Sequence, residues 1–137
     1  MALAQGGVRF ALPGRVTIVI RQGPIPRFVH GVIEYLAAVF LIAAPFLLSY
    51  DDGAAVAVSI VAGVLVLLIA AATEGPTSLI DSIPVPIHVF LDYGLAALLV
   101  ASPFLFGFSD EGPPTAAFIV LGVAHLLVTV GTRFRSS

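Results

Sequence analysis

The chain has 137 residues, of which 59% are hydrophobic and only 10% are charged, and its mean hydropathy is +1.11. Soluble domains carry charge on about a quarter of their residues, so this composition excludes an ordinary soluble protein and indicates an integral membrane protein. Six basic residues and a net charge of −2 exclude a nucleic-acid-binding surface. The absence of cysteine excludes disulfides, iron–sulfur clusters and thiol catalysis.

The first 27 residues are interpreted as a basic arm that precedes the membrane spans. Arginines recur at every sixth position, at Arg9, Arg15, Arg21 and Arg27, a spacing that does not match a helical repeat. The stretch 16–20 is β-branched, which favours a short strand or extended segment on the membrane surface, with arginines near anionic headgroups. A docking arm for another protein is the alternative.

Four apolar runs follow, at roughly 28–49, 54–73, 86–108 and 115–132. Each has the roughly 20 residues that cross the hydrocarbon core of a bilayer as a helix. Basic residues near span ends stay in the cytoplasm. All six arginines precede the first span or follow the last, and the two hairpin loops carry only acids. We therefore predict four transmembrane helices with both termini in the cytoplasm.

The second half of the chain repeats the first. Residues 84–110 match residues 26–52 at ten of 27 positions, and the repeat continues beyond one extra residue in the second loop. Each copy holds two spans, so both copies enter the membrane from the same side as parallel repeats. The predicted fold is all-α, a four-transmembrane-helix bundle made of two parallel helical-hairpin repeats.

The repeat divides the chain into four parts. We predict an N-terminal cytoplasmic or interfacial basic arm at 1–27 and a first transmembrane hairpin at 28–74. A cytoplasmic connector at 75–85 and a second transmembrane hairpin at 86–133 follow. The connector contains two alternating prolines, which favour an extended path back into the membrane.

Each hairpin carries a small residue, a proline and an aromatic residue late in its first helix. The motif reads Ala44-Pro45-Phe46 in the first copy and Ser102-Pro103-Phe104 in the second. Through this duplicated motif the chain resembles the SPW repeat family of small bacterial membrane proteins, over about residues 28–132. Phe replaces the family's Trp in both copies, and Ala replaces Ser in the first. The resemblance implies a multi-pass protein of the bacterial inner (plasma) membrane and transfers no catalytic residue.

The motif prolines, Pro45 and Pro103, lie inside predicted helices. A helical proline leaves the carbonyl four residues earlier, here that of Leu41 or Leu99, without its hydrogen bond and tends to kink the helix. In lipid this carbonyl needs another partner, such as a Ser or Thr hydroxyl. We expect a bend in the outer part of the bundle, with the adjoining phenylalanines packed at the bend or near the membrane interface.

Ionisable pairs recur near the start of each hairpin, His30 with Glu34 and His88 with Asp92. A spacing of four puts each pair on one helix face, and charges inside a membrane usually face a bundle interior or a watery cavity. Three interpretations are open: the pairs fix how the hairpins dock, the acids handle protons or cations, or the four residues bind a divalent metal ion. We favour docking and predict no bound metal.

His125 completes the candidate set of polar residues inside the membrane. It lies near the middle of the fourth span, and Val66 takes the matching place in the second. We expect a neutral histidine that is hydrogen-bonded across helices. A haem or proton-relay role would require a partner histidine at similar depth, and the sequence does not obviously offer one.

Small residues recur every four positions in the second span, at Ala55, Ser59 and Gly63. Such a stripe lets helix backbones approach closely in lipid. We expect it to pack within the bundle, with contact to another subunit as the alternative.

The sequence predicts a small multi-pass membrane protein without enzymatic activity, catalytic residues or a cofactor. We expect a structural, accessory or self-assembling subunit whose partners are the lipid bilayer and either further copies of itself or a larger membrane complex. The first alternative is a small proton- or cation-coupled transporter that uses Glu34 and Asp92. The second is a membrane redox subunit that binds metal or haem at its histidines.

Overall fold

The structure, a computed structural model, describes residues 23–134 and, before them, the backbone of residues 8–11 and 17–20. It contains four helices: α1 Arg27–Leu47, α2 Gly53–Ala72, α3 Val85–Leu105 and α4 Gly112–Gly131. All four are long and apolar enough to cross a membrane. The predicted all-α bundle of four transmembrane helices is therefore confirmed, and the chain is a multi-pass membrane protein.

Four short strands accompany the helices: β1 Val8–Ala11, β2 Thr17–Ile20, β3 Ile25–Pro26 and β4 Thr132–Arg133. The strand expected within residues 16–20 is β2, which pairs with β1 in the antiparallel sense. Arg15 and Arg21 of the basic arm, and Arg135 at the other terminus, lie outside the described residues.

Parallel strand pairings tie the two hairpins together at the end of the bundle that carries the termini. In the β3–β4 pair, Ile25 lies opposite Thr132. Thr73 and Ile83, which are the repeat equivalents of these residues, form a parallel bridge of their own. The pairings therefore follow the pseudo-twofold symmetry, and each places a threonine at the end of one hairpin beside the start of the other.

Helices α1 and α3 end at the opposite side of the bundle in the same way. Each is followed by a residue with a left-handed backbone, Ser49 at φ 52° and its repeat equivalent Gly107 at φ 77°. The next amide then donates to the carbonyl of the motif proline, at 3.0 Å for Pro45 and 2.9 Å for Pro103. This backbone closure stops the helix and directs the chain into the return helix.

Each hairpin packs closely along its own two helices, whereas the hairpins contact each other less. Gly63 and its equivalent Gly122 mark the close approach within each hairpin. A Cβ added at these glycines would lie 2.8 Å from the carbonyl oxygen of Ala38 and 3.1 Å from that of Ala96, respectively. The small-residue stripe thus contacts α1 at Gly63, and Ala55 of the same stripe is fully buried.

The carbonyl that Pro45 leaves free has a partner. The Ser59 hydroxyl donates to the Leu41 carbonyl oxygen at 2.6 Å. The second hairpin has Phe118 in place of Ser59, and the ring of Phe118 packs edge-to-face on Phe108 at 5.2 Å. Equivalent positions of the two copies therefore hold a hydrogen-bonding hydroxyl in the first hairpin and a packed aromatic ring in the second.

The side chains of the motif phenylalanines point away from the bundle. Phe46 and Phe104 are 73% and 65% exposed, so their rings lie on the apolar outer surface of the bundle.

A second polar connection between the hairpins lies at the loop end. The Glu111 carboxylate accepts hydrogen bonds from the backbone amides of Asp51, at 2.7 Å, and Asp52, at 3.1 Å. The Asp52 side chain in turn caps α2 by accepting from the Ala55 amide at 2.9 Å. One acidic side chain therefore joins the second loop to the first.

Candidate functional site

The five predicted polar residues meet at one place between the hairpins. His30 and Glu34 come from α1 and His88 and Asp92 from α3, while His125 comes from α4, and all five are buried. The two repeated pairs face each other across the pseudo-twofold axis. The sequence specified the pairs, and the structure shows their mutual orientation.

Four side-chain atoms converge at the centre of this site: Nε2 of His30, Oε1 of Glu34, Nε2 of His88 and Oδ2 of Asp92, all within 4.8 Å of one another. We call them the His–carboxylate cluster. The contacts within each helix are 3.6 Å for His30–Glu34 and 3.2 Å for His88–Asp92. The contacts between hairpins are 3.2 Å for His30–Asp92 and 3.4 Å for His88–Glu34.

The outer nitrogen of each histidine is fixed by a threonine. Nδ1 of His30 lies 2.8 Å from the Thr132 hydroxyl, and Nδ1 of His88 lies 2.8 Å from the Thr73 hydroxyl. Each hydroxyl donates its single proton to the carbonyl four residues earlier in its own helix, at 2.6 Å in both cases. The hydroxyl oxygen must therefore accept from the histidine, so Nδ1 carries a hydrogen.

This tautomer determines what the histidines present to the cluster. With hydrogen on Nδ1, a neutral imidazole has an unshared electron pair on Nε2. The two Nε2 atoms of His30 and His88 lie 3.4 Å apart, beside two carboxylate oxygens. Four electron-rich atoms therefore face one another in a buried site, an arrangement that is stable only when protons or a metal cation lie between them.

His125 adds a third histidine to the site. Its Nε2 lies 3.4 Å from Oδ1 of Asp92, the carboxylate oxygen outside the cluster, and its ring centroid is 6.4 Å from that of His30. The sequence did not obviously offer His125 a partner histidine, and the structure brings the ring of His30 near it. At about 1.5 Å per residue, His125 in α4 and Asp92 in α3 lie at matching distances from the helix ends that carry the termini.

The comparison with known families agrees with the duplicated architecture. The model of the SPW repeat domain matches residues 27–132. The chain belongs to the SPW repeat family. No curated protein and no solved structure gave a match.

In this SPW repeat protein the family motif and the polar site lie at opposite ends of the helices. The motif shapes the loop end, where Pro45 and Pro103 close α1 and α3. The His–carboxylate cluster lies near the starts of the same helices. The motif therefore contributes to the bundle and not to the site.

Sequence reasoning missed the threonines of this SPW repeat protein. Thr73 and Thr132 occupy equivalent positions of the two copies. The presence of threonine in both copies could have marked these residues as part of the site. Thr129 was missed too; its hydroxyl donates to the His125 carbonyl at 2.8 Å and lies 3.5 Å from Oδ2 of Asp92. Thr73 and Thr132 reach the histidines only because of the strand pairings, which bring the end of one hairpin to the start of the other.

A narrow cleft reaches the cluster from the end of the bundle that carries the termini. Arg27 lies on one side, where its guanidinium donates to the Glu74 carbonyl. Gly31 lies under Thr77, whose hydroxyl would be 2.0 Å from an added Cβ, and Tyr35 donates to the Thr77 carbonyl at 2.9 Å. The connector is thereby held over the cleft.

Proposed function

We propose that this protein is a structural or accessory membrane subunit whose two hairpins are joined by a cation at the His–carboxylate cluster. The observation that carries the proposal is the convergence of four electron-rich atoms, two from each hairpin, with both histidine tautomers fixed by threonines. The cation supplies the attraction that these atoms lack when they face one another alone.

Energetics support this reading. Glu34 and Asp92 are 4% and 1% exposed, and buried carboxylates are costly unless opposite charge compensates them. Two such groups at one place also repel each other. Because the hairpins contact each other less elsewhere, a positive charge shared between them contributes a substantial part of their attraction.

Nitrogen-15 NMR of the histidines in the purified protein tests this proposal. Nitrogen shifts distinguish a protonated nitrogen, a coordinated nitrogen and a nitrogen with a free electron pair. We expect hydrogen on Nδ1 of His30 and His88, and Nε2 atoms that share a proton or coordinate an ion. Two Nε2 atoms with free electron pairs, in a folded protein, would contradict the proposal.

The proposed location is the bacterial inner (plasma) membrane, with both termini in the cytoplasm. Arg27 and Arg133 lie at the end that carries the termini, and Asp51, Asp110 and Glu111 lie at the loop end. This distribution of charge supports the orientation, because basic residues near span ends are retained in the cytoplasm.

Cation transport is a second candidate function, and the cleft that reaches the cluster favours it. In that case Glu34 and Asp92 bind the transported or coupling cation. Replacing them by Glu34→Gln with Asp92→Asn should abolish cation-coupled flux in proteoliposomes while the protein stays folded. Flux retained by this double variant would exclude the transport role.

The geometry favours a single small ion over haem. The His30 and His88 Nε2 atoms are 3.4 Å apart with carboxylate oxygens beside them, and a porphyrin cannot fit between them.

Native mass spectrometry of the protein extracted from its own membranes in mild detergent tests the accessory role. A stoichiometric larger partner would support it, whereas a lone chain would favour transport.

A further inference from the structure

We infer that the His–carboxylate cluster is a tetrahedral binding site for a divalent first-row transition metal ion of the Zn²⁺ class. The inference rests on the proposed function, because it names the cation that joins the hairpins. Its ligands are Nε2 of His30, Oε1 of Glu34, Nε2 of His88 and Oδ2 of Asp92.

The distances between the ligand atoms fit such an ion. Zn²⁺ with nitrogen and oxygen ligands at about 2.0–2.1 Å needs tetrahedral ligand–ligand separations of about 3.3–3.4 Å. Five of the six separations in the cluster are 3.2, 3.2, 3.4, 3.4 and 3.6 Å. The sixth, between Oε1 of Glu34 and Oδ2 of Asp92, is at most 4.8 Å, so the four atoms lie close enough together to hold one ion.

Ligand type and charge support the same class of ion. Two imidazoles with two carboxylates suit Zn²⁺ and related ions, whereas Ca²⁺ and Mg²⁺ require about six or more oxygen ligands. A divalent ion would neutralise the charges of Glu34 and Asp92 while both histidines stay neutral. A site without net charge carries a much smaller cost inside a membrane.

Each histidine ligand has a hydrogen-bond partner of the kind found around protein metal sites. A histidine that binds metal usually donates its other ring N–H to an oxygen, which fixes its tautomer and orientation. Thr132 and Thr73 accept these hydrogens from His30 and His88. They sit at equivalent positions in the two copies, so the support is duplicated together with the ligands.

An entry path is present as well. The cleft from the end that carries the termini is lined by His30, Glu34, Thr73 and His88, with Arg27 and Phe134 at its sides. Three of the four ligand residues therefore line one route. An ion reaching the site would not need to cross the apolar half of the bundle, where Leu41 and Leu99 are buried.

Binding of Co²⁺ and Zn²⁺ alone to the full-length, chelator-treated protein in detergent tests the inference. Co²⁺ has an intense visible absorption when tetrahedral and a weak one when six-coordinate. We expect one Co²⁺ per chain with the tetrahedral spectrum, displaced by Zn²⁺. His88→Gln and Asp92→Asn should each abolish this spectrum.

A milder pair of variants distinguishes loss of metal binding from loss of folding. Thr73→Val keeps every ligand but removes the oxygen that holds His88, and should weaken Zn²⁺ binding about 10- to 100-fold. Thr115→Val is the matched control, because the Thr115 hydroxyl donates a hydrogen bond to the Phe108 carbonyl at the loop end of the bundle, away from the cluster. The control should bind Zn²⁺ as the unaltered protein does.

A six-coordinate Co²⁺ spectrum, or binding that is equal in the Thr73→Val and Thr115→Val variants, would overturn the metal inference. The histidine NMR experiment separates this failure from that of the proposed function. Protonated Nε2 atoms in a protein that binds no metal would overturn the metal inference and leave the cation proposal standing. Free electron pairs on both Nε2 atoms would overturn the metal inference and the proposed function alike.

Discussion

At the scale of single residues, the polar contacts that use both copies of the repeat are retained, whereas one packing position near the loop end has diverged. His30 and His88, with their threonine partners, keep the same contacts in both halves. Ser59 and Phe118, by contrast, occupy equivalent places with different functions. The histidine–threonine contacts near the termini thus follow the symmetry, and the packing position of Ser59 and Phe118 does not.

Ser59→Ala tests the contact that compensates for Pro45. It removes the donor to the Leu41 carbonyl, which proline leaves without a helical partner. We expect the free energy of unfolding to fall by about 1–3 kcal/mol, the cost of an unsatisfied buried polar group. Reversible denaturant unfolding in mixed micelles measures it.

The matched control is Ser102→Ala. The Ser102 hydroxyl donates to the Leu98 carbonyl of its own helix at 2.6 Å, and the backbone of a regular helix also satisfies that carbonyl. A smaller loss is therefore expected for Ser102→Ala. Equal losses for the two variants would contradict the assigned role of Ser59.

At the scale of elements, close approach within each hairpin depends on glycine. Gly63→Ala would place a Cβ 2.8 Å from the Ala38 carbonyl oxygen, in backbone that cannot move aside cheaply. Overpacking of this kind costs about 1–3 kcal/mol, and we expect a loss of stability in that range. Thermal unfolding in detergent would show it.

Gly94→Ala provides the control for this prediction. Gly94 also lies inside a helix, but an added Cβ there meets nothing within 4 Å. Alanine in place of glycine at an open helical position should be neutral or stabilise by about 0.5–1 kcal/mol. If Gly63→Ala were as well tolerated as Gly94→Ala, the packing of α1 on α2 would differ from the one described.

The elements themselves were largely predictable from the sequence. Long apolar runs specify the helices, and the repeat specifies two hairpins and the pairs His30–Glu34 and His88–Asp92. The site was predictable only in part. The approach of His125 to Asp92 depends on where α4 ends, and the contacts of the threonines depend on strand pairings of two residues, which carry little signal in a sequence.

At the scale of the whole molecule, the cluster couples the two hairpins. His30 lies in one and Asp92 in the other, 3.2 Å apart at Nε2 and Oδ2. A double-mutant cycle of His30→Gln and Asp92→Asn should show an interaction energy of about 0.5–3 kcal/mol. The same cycle of His30→Gln with Asp110→Asn, in the outer loop, should be additive. Additivity in both cycles would mean that the cluster does not join the hairpins.

Labelling of single introduced cysteines tests the proposed orientation. The chain has no cysteine of its own, so no other residue would react with a thiol reagent. Asp110 and Glu74 are exposed at opposite ends of the bundle. In intact cells, a membrane-impermeant maleimide should label Asp110→Cys and spare Glu74→Cys. The reverse pattern would place the termini outside the cytoplasm.

In the proposed site, four atoms from two hairpins hold one cation. An X-ray absorption spectrum at the zinc edge, recorded on the stoichiometrically Zn²⁺-loaded protein, examines those atoms directly. We predict four nitrogen and oxygen neighbours at about 2.0–2.1 Å, with the outer-shell scattering of two imidazoles. A six-coordinate shell of water, or a shell without imidazole, would contradict the site described here.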